Sequence, residues 1–390
     1  MSRMSARRMI AAVAGLSMLA IGCSTESSPV GVPDLPPADS GQGLLSSPGF
    51  TLVASGDVLI HPALTEQATD DATGAAGGAA GGAKQNRDYR PLFAGVKPAV
   101  STADLALCHL ETPLADQNGP FTGYPSFSAP PEVAPALADL GYDSCSTASN
   151  HTLDKSVTGV FKTLDTLDQA GVRHTGSARS EQEANTPLVL NVRGVKVGHV
   201  SFSFGFNGIP IPSGKPWLTN TLDADRVIAA ARAARAAGAE VVVASLHWGA
   251  EFRTEPTKEQ RAIARRVLAD PSVDLIVGHH AHVAQPFEKI GEKWVAYGLG
   301  NHVARHEDPQ GTTEEGVVAR FQFRKSSAGW RVERVQYLPT LIDLGPPIRL
   351  LDLTIPNENN QDRRETAIQR IDEAVLSLGA GQQGLTRPGG

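Results

Sequence analysis

Residues 274–288 read DLIVGHHAHVAQPFE, an apolar run followed by a glycine and three closely spaced histidines. The run 274–277 is too short for a helix and indicates a buried β-strand that ends at Gly278. Histidine is scarce in this chain, at 11 of 390 residues. A surface loop can hold histidines without any function. The alternative is a metal site, because imidazole nitrogen binds Zn, Mn, Fe or Ni well.

Four other stretches that read as strands also end in residues able to bind a metal ion. They are FTLVASGD (50–57), DLALCHLE (104–111), YDSCSTASNH (142–151) and VVVASLHWG (241–249). The candidate ligands are Asp57, Glu111, Asn150 and His247, together with His280 and His282. Since ligands collect at the carboxyl ends of strands in open α/β sheets, the sequence predicts one site built from all of them.

The residue types suit a centre with two divalent metal ions. A bridging carboxylate holds two cations about 3.5–4 Å apart against their repulsion, and Glu111 is our candidate for that role. Asp57 would bind one ion, and Asn150 would add a neutral carbonyl oxygen. In an extended loop the alternate residues His280 and His282 would point the same way and share the site. The pattern is compatible with Mn, Zn or Fe.

A general acid is predicted beside the metal ligands. His151 follows Asn150 directly, so in an extended segment its side chain would leave the strand on the opposite side. It would then be able to give a proton to a leaving group, with Asp154 orienting its imidazole. A structural histidine in a turn is the alternative for His151.

The order of the elements predicts the fold class. Amphipathic patterns at 156–171 and 223–240 indicate helices, and the alternation in LVLNVRGVKVGHVSFSF (188–204) indicates a β-hairpin. Strands and helices alternate in the first part of the chain, and a strand-rich half follows. We therefore predict an α/β fold, a two-sheet αββα sandwich with helices outside both sheets.

The N-terminus predicts a membrane anchor. Three arginines precede an apolar run in residues 1–22, as in a signal peptide. The ending LAIGC resembles a bacterial lipobox, in which the cysteine, here Cys23, is lipidated. Residues 23–48 are rich in Ser, Pro and Gly and predict a flexible tether. We expect the protein on the extracytoplasmic face of the bacterial cell membrane; a soluble secreted protein with an incidental cysteine is the alternative.

The main domain is predicted over 49–345. It contains an Ala/Gly-rich insertion at 65–88, expected to be a surface loop, and is followed by an extension with one helix at 346–390. Cys108 and Cys145 both lie in predicted strands. Buried free thiols are the favoured interpretation, and a disulfide in an oxidising compartment is the alternative.

Composition gives a general class and excludes one kind of partner. Hydrophobic residues make up 41% of the chain and charged residues 19%, which is typical of a globular protein. The formal net charge of −6 gives no reason to expect nucleic acid as a partner.

Six segments in this order resemble the CapA family, the bacterial poly-γ-glutamate capsule synthesis proteins, which is similar in fold to the calcineurin-like metallophosphatases. The segments are SGDVLIH, CHLETPL, ASNHTLD, LHWGAEF, GHHAHVAQPFE and YGLGN. The resemblance implies a first metal carboxylate, a bridging carboxylate, an Asn-His motif, an isolated metal histidine and a terminal histidine pair. These positions are Asp57, Glu111, Asn150 with His151, His247, and His280 with His282.

The chain departs from the family pattern at three places. His109 stands where the family usually has Asn two residues before the glutamate, and His279 replaces a glycine. Phosphatases usually begin their site with Asp-x-His, whereas His61 lies four residues after Asp57. His61 is therefore either a further metal ligand or a residue outside the site.

The resemblance implies a lipid-anchored extracellular hydrolase-like protein that binds metal. It would act in the synthesis, export or trimming of a capsule or cell-envelope polymer such as poly-γ-glutamate. Its expected partners are that anionic polymer or another envelope substrate, the membrane, and a membrane polymer-synthase complex. One alternative is a metallophosphoesterase acting on envelope phosphoesters or nucleotides. A second is a non-catalytic scaffold that keeps the metal site while assisting a polymer synthase.

Replacing the predicted lipidation site tests the anchor. Cys23→Ala should release the protein from membranes, because the acylated residue supplies nearly all of the expected membrane affinity. The measurement is the amount of protein left in the membrane pellet after a carbonate wash, with Ser24→Ala as the neighbouring control. Retention of Cys23→Ala in the pellet would contradict the lipoprotein interpretation.

Overall fold

The computed structural model describes residues 48–75, 86–306, 311–357 and 360–388. The predicted signal peptide, Cys23 and the tether up to residue 47 lie outside these ranges, so the anchor stays a prediction. Within the described ranges, no helix combines the length and the apolar character needed to cross a bilayer.

Fifteen strands and nine α-helices are present in the described residues. The strands are β1 (Gly49–Val58), β2 (Leu105–Leu110), β3 (Ser144–Ser146), β4 (Arg173–Thr175), β5 (Val189–Val192), β6 (Val195–Ser203), β7 (Val241–His247), β8 (Leu275–His279), β9 (Phe287–Ile290), β10 (Lys293–Ala296), β11 (Asn301–Val303), β12 (Glu315–Ser326), β13 (Gly329–Asp343), β14 (Arg349–Asp352) and β15 (Leu385–Thr386). The helices are α1 (Pro62–Ala75), α2 (Arg90–Phe93), α3 (Lys97–Ser101), α4 (Val133–Leu140), α5 (Ser156–Ala170), α6 (Glu181–Ala184), α7 (Ala224–Ala236), α8 (Lys258–Ala269) and α9 (Gln361–Leu376).

The strands form two sheets. The first has the order β14-β13-β12-β1-β2-β3-β4, with β11 beside β1 and β15 beside β13. The second has the order β5-β6-β7-β8-β10-β9. Strands β1 to β4 are parallel to one another, and so are β6, β7, β8 and β10. The carboxyl ends of these parallel strands therefore lie together at one edge of each sheet.

Apolar residues bury both faces of each sheet. In β1, Leu52 points into the layer between the sheets, whereas its neighbour Val53 packs with helices α1 to α4 on the outside. The outer face of the second sheet packs on α7 and α8. Strand β7 is apolar at successive positions because both of its faces are buried. The layers are helix, sheet, sheet, helix, and the predicted αββα sandwich is confirmed.

Helix boundaries follow their sequence signals. Asp223 caps α7 by accepting hydrogen bonds from the amides of Asp225 and Arg226. Helix α4 ends at Gly141, which has a φ of 107°, a conformation that disfavours a side chain. Both boundaries agree with the sequence patterns.

The start of the Ala/Gly-rich insertion is helical, and the predicted loop is wrong there. Helix α1 continues to Ala75, because Leu64 and Ala68 lie four residues apart and bury one face in the core. Gln67 adds a tertiary contact by accepting a hydrogen bond from the Ile348 amide at 2.8 Å. The insertion between 76 and 85 lies outside the described residues.

The predicted third strand is also too long. Strand β3 covers only three residues, and the chain turns before it reaches Asn150. Hydroxyl groups stabilise this turn: Ser149 Oγ donates to Glu111 O at 2.7 Å, and Thr152 Oγ1 accepts from the Ser149 amide at 2.7 Å. Such side-chain bonds to the backbone compete with strand pairing.

The segment after 345, predicted as an extension with one helix, belongs to the same body. Strands β14 and β15 both pair with β13, at different positions along it. Helix α9 buries Ala367, Ile371 and Val375 in the layer between the sheets. The residues after 345 therefore complete the core.

A disulfide links Cys108 and Cys145, so the favoured prediction of free thiols is wrong. The two residues are direct neighbours in the register of β2 and β3, with Cα atoms 4.4 Å apart. The sequence placed both cysteines in strands but could not give the register that brings them together.

Reducing this bond should lower stability. The closed loop has a sequence separation of 37, and loop-closure entropy then predicts a loss of roughly 2–4 kcal/mol in the free energy of unfolding. Urea unfolding of the reduced and oxidised wild-type protein measures the loss with both sulfur atoms kept. The double variant Cys108→Ala with Cys145→Ala should be insensitive to reductant, and equal midpoints for oxidised and reduced wild type would contradict the prediction.

Candidate metal centre

The two sheets bring their polar strand ends together at one place. In the first sheet, Asp57 and His109 are register partners on β1 and β2. In the second, His247 and His279 are partners on β7 and β8. The rings of His109 and His279 stack across the two sheets with centroids 4.1 Å apart. The site therefore lies where the carboxyl ends of both sets of strands meet.

Asp57 is fully buried, and both of its oxygens contact the segment 279–282, which we call the histidine loop. Its Oδ1 lies 3.1 Å from His279 Nδ1, and its Oδ2 accepts from the His280 amide at 3.0 Å. His282 Nδ1 lies 3.3 Å from Oδ2. Burial acts to raise the pKa of Asp57, yet hydrogen bonds from His279 and His282 more than offset it and hold the pKa well below its usual value. Asp57 is therefore an ionised carboxylate.

Glu111 is buried beside it without a hydrogen-bond donor among the described residues. Both carboxylate oxygens are inaccessible and unpartnered, and His282 Nε2 lies 3.7 Å from Oε1. Burial raises the pKa of Glu111 well above its usual value, with only part of that effect offset by His282. A buried carboxyl group without donors stays ionised only if a cation lies beside it, and otherwise it takes up a proton.

His282 lies between the two carboxylates. Its Nδ1 is 2.9 Å from Asn301 Oδ1, and the Asn301 amide nitrogen donates to Thr313 O at 2.8 Å, which fixes the orientation of the amide. Nδ1 of His282 therefore donates, and Nε2 faces Glu111. Burial acts to lower the pKa of His282, but Glu111 and Asp57 raise it to about 9. The two carboxylates thus favour positive charge at the position where they meet.

A second group of ligand atoms lies at Asn150 and His247. Asn150 Oδ1 is 3.0 Å from His247 Nε2. The Asn150 amide nitrogen donates to Asn207 Oδ1 at 3.2 Å, so the carbonyl oxygen is the atom turned toward His247. Burial lowers the pKa of His247 well below its usual value, and a neutral imidazole is the form that binds metal.

His280 adjoins both groups, in a conformation that the sequence did not predict. The histidine loop is not extended, because His280 has a φ of 91° and His282 a φ of 56°. The ring of His280 lies 4.7 Å from that of His247 and 6.0 Å from that of His282. Its Nδ1 is buried without a partner among the described residues. Positive φ at non-glycine residues costs about 1–2 kcal/mol each and concentrates at functional sites.

These residues fit divalent metal ions. Four groups of three ligand atoms, taken from the described residues, lie within 4.8 Å of one another. The groups are Asp57, His109 and His279; His109, Glu111 and His247; Glu251, His280 and His282; and Asp57, Glu111 and His282. Buried carboxylate and imidazole donors of this kind suit Mn, Zn or Fe.

His61 belongs to none of these groups. Its Nδ1 accepts from the Arg305 amide at 3.0 Å, and its ring packs against Phe127 and His306. Burial lowers its pKa to about 4. His61 therefore lies at the rim of the site, where it holds the Arg305 backbone.

His151 and Asp154 form a pair beside the cluster. His151 Nδ1 lies 2.7 Å from Asp154 Oδ2, which also accepts from the Phe127 amide at 2.7 Å. Both side chains are buried. Burial is the main reason why the pKa of His280 falls to about 3, and charge repulsion from the nearby His151 adds to it. Both residues lie in a turn, so the prediction that the His151 side chain leaves a strand on the side opposite Asn150 does not apply. Asp154 contacts Nδ1 of His151, and the other ring nitrogen, Nε2, is not part of that contact.

Five residues at the site received no role from the sequence. They are His109, Asn207, Glu251, His279 and Asn301. Four of them stand in the motifs CHLETPL, LHWGAEF, GHHAHVAQPFE and YGLGN, so inspecting every polar residue of each motif would have found them. Asn207 comes from the loop 204–217, and only its contact with Asn150 in the folded chain reveals it.

A phosphatase and a phosphoesterase are among the solved structures to which the chain is similar in fold. A phosphatase from Mycoplasma pneumoniae shows 12% identity, covering 76% of this chain and 94% of that chain, with a TM-score of 0.46. The calcineurin-like phosphoesterase YfkN from Bacillus subtilis shows 14% identity over 85% of this chain and 99% of that chain, with a TM-score of 0.37.

Several curated relatives are named as capsule or polymer synthesis proteins. The capsule biosynthesis protein CapA of Bacillus anthracis is 27% identical over 223 residues, covering 56% of this chain and 53% of the relative. The PGA biosynthesis protein CapA of Bacillus subtilis is 28% identical over 201 residues, covering 51% of each. A probable polyglutamine synthesis accessory protein of Mycobacterium tuberculosis is 28% identical over 222 residues, covering 53% of this chain and 57% of the relative. The chain spans about half the length of these relatives.

The family match covers most of the described domain. Residues 51–306 match the family described as bacterial capsule synthesis protein PGA_cap. That range begins in β1 and includes every candidate ligand named above, from Asp57 to His282, as well as Asn301. The chain therefore belongs to the PGA_cap family of bacterial capsule synthesis proteins.

Proposed function

We propose that this chain is a lipid-anchored, extracytoplasmic metal-dependent hydrolase that acts on a capsule or cell-envelope polymer such as poly-γ-glutamate. One observation carries the proposal: Glu111 is buried next to a second buried carboxylate, Asp57, and neither Glu111 oxygen has a hydrogen-bond partner among the described residues. Two carboxylates buried this close together are both ionised only when positive charge lies beside them, and His282, the histidine between them, does not give Glu111 a hydrogen bond. A site of this kind is better suited to a function with bound metal than to holding the fold together.

The residues divide between two metal positions. Asp57, Glu111 and His282 would hold one ion, and Glu111, Asn150, His247 and His280 the other, with Glu111 common to both. Bound divalent ions would polarise the carbonyl or phosphoryl oxygen of a substrate. Glu251 comes within 4.8 Å of His280 and His282 from the solvent side and is placed to face an incoming substrate.

His151 supplies the proton in this proposal. Asp154 holds its Nδ1 and so fixes the orientation of the ring. A neutral histidine with that arrangement carries its proton on Nδ1, and the protonated form also has one on Nε2, which can pass to a leaving group. Phe127 packs edge-on against the ring, with centroids 4.7 Å apart. This contact restricts rotation of the ring.

The substrate class comes from the family and its relatives. The relatives are named for capsule, PGA and polyglutamine synthesis, and a capsule lies outside the cell, where an enzyme must face outward to reach it. The signal peptide and Cys23 would provide this location. The polymer joins its monomers through amide bonds, whose hydrolysis needs a polarised carbonyl and a proton for the leaving nitrogen.

Metal analysis and parallel assays test the proposal. The purified full-length chain should contain bound divalent metal and should cleave poly-γ-glutamate with Mn²⁺ or Zn²⁺. Cleavage of phosphoesters alone would favour the metallophosphoesterase. Bound metal with neither activity, together with loss of capsule when the gene is deleted, would favour the scaffold of a polymer synthase.

Substitution of the central carboxylate tests the two metal positions. Glu111→Gln should lower bound metal more than His280→Ala, because Glu111 is common to both positions and His280 to one. Inductively coupled plasma mass spectrometry of the purified variants measures the metal content. Asp274→Asn is the control, since Asp274 is also partly buried but lies at the opposite end of β8.

Circular dichroism of each variant shows whether it is folded. Wild-type metal content in folded Glu111→Gln and His280→Ala would contradict the two-metal assignment. Equal losses in the two variants would argue against the bridging role of Glu111.

Substitution of His151 separates proton transfer from metal binding. His151→Ala should keep near-complete metal content while hydrolysis slows by ~10²–10⁴, the usual contribution of a general acid. The defect should shrink for a substrate with a good leaving group, such as a nitrophenyl ester, because that group needs little protonation. Steady-state rates on activated and unactivated substrates of the same class measure the difference.

Asp154→Asn is the matched variant, since it keeps the shape of the side chain but weakens the hold on His151 Nδ1. The rate of hydrolysis should fall in this variant too, but by less than in His151→Ala. Loss of metal together with activity in His151→Ala would identify His151 as a ligand, and full activity would return it to a structural role in the turn.

A further inference from the structure

His109 lies in the layer between the sheets and uses both of its ring nitrogens. It is fully buried. Its Nδ1 lies 2.7 Å from Ser146 Oγ, and its Nε2 lies 2.9 Å from His247 Nδ1. His109 lies close enough to other ligand atoms to be grouped with them, but Ser146 and His247 already engage its two nitrogens in hydrogen bonds. Its contacts are those of a residue that acts through His247.

These contacts belong to a chain of three hydrogen bonds. Ser146 Oγ also donates to the backbone carbonyl of Cys108 at 3.3 Å. A carbonyl can only accept, so when Ser146 gives its proton to Cys108, it must accept from His109 Nδ1. His109 Nε2 then has a lone pair and accepts from His247 Nδ1. In this arrangement Nε2 of His247 also has a lone pair.

That lone pair points where a metal ligand is needed. His247 Nε2 lies 3.0 Å from Asn150 Oδ1, and the contact with Asn207 turns the Asn150 oxygen toward it. Two electron-pair donors then face the same position. If every hydrogen bond in this series runs in the opposite direction, His247 Nε2 carries a proton and donates a hydrogen bond to Asn150 Oδ1. That tautomer cannot bind a metal ion through Nε2.

We propose that His109 is a positioning residue, which lets His247 present Nε2 to a metal ion by accepting a hydrogen bond from the Nδ1–H of His247. The inference rests on the metal centre proposed above. Because of His109 and Ser146, the donors and acceptors in this chain of hydrogen bonds can exchange roles without leaving a buried polar group unpaired. A side chain that cannot accept at this position would leave the Nδ1 proton of His247 buried and unpaired in the metal-bound state, a cost that weakens binding.

The chain offers a matched control at His199. It is also fully buried between the sheets, with Nδ1 3.0 Å from Ser144 Oγ and Nε2 2.9 Å from Ser245 Oγ. It makes two hydrogen bonds, as His109 does, but neither goes to a candidate ligand. The effect of losing an imidazole that contacts His247, at His109, can therefore be compared with the effect of losing one that does not, at His199.

The experiment titrates the metal-free, full-length protein with Zn²⁺ by calorimetry. His109→Phe keeps a flat ring against His279 but cannot accept a hydrogen bond, and it should weaken zinc binding by about 10–100-fold. His109→Gln, which offers an amide oxygen in place of Nε2, should bind close to the wild-type level. His199→Phe should lower the melting temperature of the metal-free protein without weakening zinc binding.

A spectroscopic measurement adds a readout that a purely structural role would not change. In the zinc-loaded wild type, the ¹⁵N shifts of His247 should show a protonated Nδ1 and a metal-bound Nε2. His247→Gln, which removes these signals, identifies them. If His109→Phe binds zinc as tightly as wild type, or if His199→Phe loses as much affinity, the inference is wrong.

Two further outcomes are distinguishable. If His109→Phe does not fold, Ser146→Ala is the deciding variant, because it breaks the chain one bond further away; unchanged affinity and unchanged His247 shifts would then overturn the inference. If the wild type binds no divalent metal, the proposed centre fails and the inference fails with it. Zinc binding by the wild type, with no response to substitution at 109 or 146, removes the inference alone.

Discussion

The site depends on the burial of two carboxylates, Asp57 and Glu111, within reach of one histidine. Neither would be stable alone in a dry interior, because an isolated buried charge costs several kcal/mol. His282 lies between them with a raised pKa of about 9, and Asn301 holds its other nitrogen. The histidine loop, with its left-handed backbone at His280 and His282, keeps His282 next to the two carboxylates.

Both sheets are needed to build this arrangement. The first sheet supplies the carboxylates and the second supplies His247 and the histidine loop. Polar contacts cross the otherwise apolar layer between the sheets, as between His109 and His247 and between Ser144 and His199. Each satisfies a buried donor or acceptor, so the relative position of the two sheets is specified more tightly than apolar packing alone would require. The disulfide between β2 and β3 adds a covalent constraint beside the site.

Membership in the PGA_cap family and the chemistry of the site support the same proposal. If the chain acts outside the membrane, as we propose, its reaction proceeds without nucleotide cofactors, and bound metal ions with a histidine acid would meet that need. The mouth of the site is partly apolar, since Phe204 and Phe252 are exposed large side chains whose rings approach His280 and His282. Such rings exclude water from one side of a bound substrate, which strengthens the electrostatic interactions within the site.

The sequence by itself determined the two-sheet sandwich, most strand positions and the residue types at the strand ends, because these follow from local periodicity and from the motifs. It also proposed Asp154 as the partner of His151, three residues away, and the two lie 2.7 Å apart. Only the tertiary structure decided which residues meet across the sheets. The disulfide, the contact of Asn207 with Asn150 and the link from His109 to His247 join residues 37 or more positions apart. Register and sheet packing set such distances, and neither is encoded in a local pattern.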